Sequence, residues 1–136
     1  MPRRRNIARA ATAAEAVMYL RKAREFLHAA QSSFALDNCT ATAGNAVHAA
    51  INAADALTAA RLHSVWRGEH SEAPAHLDQA GEDGRLAARH LRRLLLLKNR
   101  AEYDPLPVGL EDARMALLSA ERMVAIAERA VASLGL

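Results

Sequence analysis

Between Asp37 and Arg61 the chain carries one charged side chain, Asp55. The centre of this stretch, Ala46-Val47-His48-Ala49-Ala50-Ile51-Asn52-Ala53-Ala54-Asp55-Ala56-Leu57, is otherwise small or apolar on every side. Alanine is the best helix former, and its small side chain lets helix backbones approach closely. A helix lacking a charged face is covered on more than one side. Either it lies at the centre of a bundle or a second subunit packs on it. Alanine fills 33 of the 136 positions and aromatics only 4%. The core is therefore short of large side chains and must be closed by bringing helices together.

Breakers divide the rest of the chain into further helices. The pattern predicts helices over about 11–36, 40–66, 71–79, 85–103 and 110–134. Asp37-Asn38 separates the first two and offers an N-cap to the second. Arg67-Gly68 stops the second, residues 81–84 read as a loop, and Asp104-Pro105-Leu106-Pro107 ends the fourth, because each proline disfavours helix in the residue before it. No segment shows the alternation of a strand. The expected fold is all-α, an up-and-down bundle of four long helices and one short one. It forms one domain over 11–136, preceded by a basic segment over 1–10 that contains Arg3-Arg4-Arg5.

Charge is modest overall, +3, but arginine outnumbers lysine 16 to 2. The planar guanidinium fork suits phosphate and carboxylate. The one cysteine, Cys39, excludes an internal disulfide and fits a reducing compartment. No apolar run reaches membrane-spanning length, and charges interrupt the sequence after the basic start, which argues against a signal peptide. These features lead to the expectation of a cytoplasmic protein without a membrane partner.

Two constellations carry chemistry. On the second predicted helix, Asn45, His48, Asn52 and Asp55 share one edge, readable as a structural network or as a polar pocket. On the fourth, Arg85, Arg89, Arg92, Arg93 and Arg100 fall within an arc of about a quarter turn, with Tyr103 on the same side. That stripe reads either as a solvated face pairing with acids or as a phosphate-tracking surface with Tyr103 available to stack on a base. Lys98 sits among leucines, which calls for snorkelling or a carboxylate partner, and Asp55 is the best candidate. No histidine, cysteine or carboxylate spacing suggests a metal, and no glycine-rich phosphate loop is present, so no cofactor is expected.

The order of these segments, with Asn99-Arg100 leading into Tyr103-Asp104-Pro105, resembles a HEPN domain over most of the chain. It is most similar to small actinobacterial HEPN-like proteins, and the alanine and arginine usage fits a GC-rich genome. The resemblance implies a helical bundle that commonly forms homodimers. In active members an arginine and a histidine four to six residues later cut RNA without a metal. Here no histidine follows Arg100 at that distance. Arg85 and His90 satisfy the spacing but lie well upstream of the family-like segment. Without that histidine the usual proton carrier is missing, and His48 can replace it only if the fold brings it to Arg100.

The resemblance thus implies a non-catalytic or weakly catalytic module that binds RNA or a nucleotide, or that serves as a partner in a toxin–antitoxin or defence system. The catalytic candidates are His48 and Arg100. Ligand contacts are assigned to Asn52, Asp55, Lys98, Asn99, Arg100 and Tyr103, and RNA contacts to Arg85, Arg89, Arg92 and Arg93. The alternative is a protein–protein interaction bundle, as a homodimer or with another protein, without nucleic acid.

Overall fold

The computed structural model describes residues 7–136, so Arg3-Arg4-Arg5 lies outside the described residues. The elements run β1 (Ala8–Ala10), α1 (Ala13–Ala35), α2 (Cys39–Leu62), β2 (Ser64–Trp66), a 3-10 turn (His70–Glu72), α3 (Ala73–Asp78), α4 (Gly81–Tyr103) and α5 (Leu110–Ala132). The class is all-α, with one addition that the sequence pattern did not announce. β1 and β2 pair antiparallel in a two-stranded sheet, Arg9 opposite Val65. Backbone bonds from Ala11 N to His63 O (2.9 Å) and from Arg67 N to Ile7 O (2.8 Å) extend the pairing at both ends.

α2 lies at the centre. It packs against α1, α4, α5, α3 and β2. Fourteen of its 24 residues are buried, against 4 in α1, 8 in α4 and 9 in α5. Nine of those fourteen are alanines. Opposite them stand Ala16, Leu20, Ala23 and Ala30 of α1, and Ala116, Ala120, Met123 and Ala127 of α5. Small faces small on both sides, which suits close helix approach. Burial within one chain already accounts for the uncharged helix, so that pattern no longer calls for a second subunit.

The helix boundaries have local causes. At the start of α1, Thr12 and Glu15 form a reciprocal capping box: Glu15 N donates to Thr12 Oγ1 (3.1 Å) and Thr12 N to Glu15 Oε1 (2.9 Å). α1 ends as Asp37 turns left-handed at φ 61°. Asn38 is the residue before α2, but its side chain makes no capping bond, contrary to the role expected of it. Thr42 Oγ1 instead donates back to the Asn38 carbonyl at 2.9 Å.

Two expected boundaries move. α2 does not reach Trp66: His63 adopts φ 57° and reverses the chain into β2. Ser64-Val65-Trp66 suits an extended segment with one face buried, and Val65 is fully buried there. Residues 81–84 are not a loop but the first turn of α4, where Glu82 and Asp83 sit favourably at the positive end of the helix dipole. Gly84 is required at this place, because a Cβ there would collide with the Leu77 carbonyl of α3.

Glycine substitutions on two helices separate packing from propensity. Gly84→Ala should cost about 1–3 kcal/mol through overpacking, read as a lower urea midpoint. Gly44, whose Cβ position is open, should gain up to about 1 kcal/mol on replacement by alanine.

Candidate functional site

The arginines of α4 divide into two groups. Arg92 donates to Asp78 of α3 at 2.7 Å, and Arg100 to Asp112 of α5 at 2.6 Å. Among the described residues no ion pair engages Arg85, Arg89 or Arg93, nor Arg122 of α5. Several acids of α4 and α5 are taken, Asp83 by Arg61 and Arg129, Glu121 by Gln31 and Glu128 by Arg24, while Glu82, three residues before Arg85, makes no ion pair with it. His90 is only 9% exposed, its Nδ1 is buried without a partner, and the charges of Arg93, Arg122 and Arg89 act on it. Burial first, then the charges of Arg93, Arg122 and Arg89, hold the His90 pKa below the usual histidine range. A neutral histidine thus lies under a cluster of uncompensated guanidinium groups.

The constellation expected around Lys98 is taken apart by the fold. Lys98 Nζ donates to Glu102 Oε2 at 3.0 Å, one turn along its own helix, and does not meet Asp55. Asp55 instead accepts from Arg67 Nη1 at 3.2 Å. The reason is position along α2: Lys98 borders a cavity with Thr40, Val47 and His48 in the N-terminal half of the helix, while the reversal at His63 brings Arg67 back to Asp55.

His48 and Arg100 are not brought together either. His48 is stacked on Phe26 with ring centroids 5.0 Å apart and lines a cavity with Lys98 and Glu102. Arg100 turns toward α5 and lines a different cavity with Asp104 and Asp112. Asn52 is buried, and its Nδ2 donates to the His48 carbonyl at 2.9 Å, a bond internal to α2. Asn45 is half-buried on the same edge. Asn99 lies at the surface beside Arg92 and Lys98, around a cavity bounded also by Ser71 and His70. Tyr103 is 86% exposed at the end of α4.

A cluster that sequence reasoning missed centres on Arg67. Its Nη1 donates to the Trp66 carbonyl (2.7 Å) as well as to Asp55, and its Nη2 donates to Tyr19 Oη (2.7 Å). Arg9 Nη2 also donates to Tyr19 Oη, at 3.3 Å. One guanidinium thereby joins α1, α2 and β2. Burial pushes the Asp55 carboxyl up to about 6, although Arg67, Lys22 and Arg9 pull the other way. The Trp66-Arg67-Gly68 turn was visible in sequence as a helix stop. Its return over Asp55 was not, because the helix was drawn too far.

Ser64 Oγ and His76 Nε2 lie 3.2 Å apart, but neither residue borders one of the described cavities. Burial lowers the His76 pKa, so the pair serves as a neutral tie between β2 and α3. Among the described residues no three His, Cys, Asp or Glu side chains gather as metal ligands, and no helix is long and apolar enough to cross a membrane.

The Asp55 shift has a stability consequence with a definite sign. Its folded pKa lies above the unfolded value, so its contribution is fully present below the unfolded pKa and is lost as pH rises through about 6. His76 and His90 act oppositely: their lowered folded pKa values cost stability as pH falls below the ordinary histidine range. Between pH 7 and pH 5, Asp55→Asn should therefore lose about 1 kcal/mol more stability than the wild type in urea titrations. Arg67→Gln should raise the Asp55 midpoint, followed by carboxyl NMR. No protein-family model matches the chain, and no curated protein matches it in sequence.

Proposed function

We propose that the chain is a non-catalytic, HEPN-like module that binds single-stranded RNA through its phosphates, in the toxin–antitoxin or defence setting that its resemblance implies. The observation that carries this reading is the uncompensated cluster of Arg85, Arg89 and Arg93 on α4 with Arg122 on α5. Arginines already paired with acids gain little from a phosphate. Unpaired ones attract it, and binding releases counterions from the RNA. Tyr103, exposed at the C-terminal end of the same helix, supplies a ring on which a base can stack. Arg92 stands at the edge of this face with its charge shared with Asp78.

The non-catalytic part of the reading is supported by the separation of His48 from Arg100. Cleavage by general acid–base catalysis needs a proton donor and an acceptor at one phosphodiester. Here the arginine is engaged by Asp112 and the histidine by the Phe26 ring. The uncharged α2 lends no support to a homodimer, so self-association forms no part of the proposal.

Combined Arg85→Glu, Arg89→Glu, Arg93→Glu and Arg122→Glu should abolish binding of a short single-stranded RNA at low salt. Single removals should each weaken it and reduce the salt slope by about 0.7. Arg100→Ala should change little, because its guanidinium is already paired. Affinity that is insensitive to salt, or unchanged by the charge reversals, would transfer the face to a protein partner. RNA cleavage lost in both His48→Ala and Arg100→Ala would sink the non-catalytic reading.

A further inference from the structure

A cavity of about 260 Å³ opens between α2, α4 and the turn after β2. Its apolar walls are Ile51, Ala54, Leu91, Leu95 and Trp66. The wall at Trp66 is pre-formed. The indole Nε1 donates to the Glu69 carbonyl at 2.9 Å, and the ring leans on the His76 imidazole with centroids 5.7 Å apart. Gly68 lies so close under the indole that a Cβ would run into the ring. Three independent contacts therefore hold one aromatic group in place.

The polar end of the cavity is Asp55. Its side chain is 14% exposed, and its Oδ2 takes the bond from Arg67. Its Oδ1 accepts no hydrogen bond from the described residues, yet it is not among the fully enclosed atoms without a partner, of which His90 Nδ1 is the one found. Asp55 is the one carboxylate that lines the cavity. A largely desolvated carboxylate oxygen facing apolar walls lacks only a donor. That donor need not be a cation. Arg67 already balances the carboxylate, and Arg9 and Lys22 add positive potential nearby. The volume falls below the usual range of ligand pockets, which limits an occupant to one or two fused rings.

We propose that this cavity binds a small, neutral, planar heterocycle whose ring N–H donates to Asp55 Oδ1 and whose face lies against Trp66 and the Leu91–Leu95 wall. The site is separate from the arginine face, and loss of RNA binding leaves it standing.

Trp66 is the only tryptophan in the chain, so its fluorescence reports the cavity directly. Benzimidazole at mildly alkaline pH is a suitable neutral probe and should shift the emission saturably. 1-Methylbenzimidazole, which lacks the donor, should bind about tenfold more weakly or worse. Asp55→Ala should bind both rings alike. Ala73→Phe, on the cavity lining, should block both, with unchanged helical circular dichroism as the control that the variant is folded. If Asp55→Ala fails to fold, the methylated probe and Ala73→Phe still decide. The proposal is overturned by an absent or unsaturable response, by equal affinity for the methylated ring in the wild type, or by unchanged binding to Ala73→Phe. Tighter binding of the cation benzamidine than of benzimidazole would also overturn it, by making this a cation site.

Discussion

The close approach of helices across α2 is the constraint on which the rest of the molecule depends. A core helix whose buried residues are mostly alanine contributes little apolar area per residue, but ordering alanine costs almost no side-chain entropy. Stability then comes from many short contacts on several sides of one rod. This arrangement leaves α1 and α5 facing α2 with small residues of their own, and pushes larger side chains toward α4, where Leu91, Leu94, Leu95 and Leu97 complete the core. Functional groups are excluded from the centre. They collect along the edges of α2 and on the outer face of α4.

Those edges carry unlike chemistry. On the α4–α5 side, Arg89, Arg93 and Arg122 stand without ion pairs beside a buried histidine, although Arg100 and Arg129 pair with Asp112 and Asp83 between the same two helices. On the α2–β2 side, one guanidinium is engaged within the protein, with a carboxylate, a phenol and a carbonyl as its partners. The first arrangement retains electrostatic attraction for something outside the protein. The second spends it internally and orders a small cavity. Arginine content alone does not distinguish these uses; the placement of the partners does.

The helical class, the approximate α1, α4 and α5 spans and the central burial of α2 were legible because hydrophobic period and missing charge act within one segment. The division of the arginines was not, since Asp78 and Asp112 reach Arg92 and Arg100 from other helices. The Asp55 partner was misassigned for a sharper reason. Carrying α2 to Trp66 left Arg67 as a stop signal instead of a side chain folded back on the helix. β1 and β2 were invisible because three residues make no periodicity, and Ala8-Arg9-Ala10 has no strand character of its own. The capping box at Thr12 and Glu15 went unread despite its Thr-x-x-Glu spacing, because a helix start at Ala11 puts Thr12 inside the helix.

The pairing of β1 with β2 ties Ala8 to Trp66 across the whole of α1 and α2. Closing so long a segment costs entropy that a three-residue ladder cannot repay unaided. The α1–α2 hairpin, whose contacts are more local, must therefore form before the small sheet becomes worth closing. The Arg67 hub, and with it the wall formed by Trp66, belongs to the late part of folding. The order of assembly then runs from the alanine-packed hairpin outward, and local opening of the native protein should begin at the strand ends.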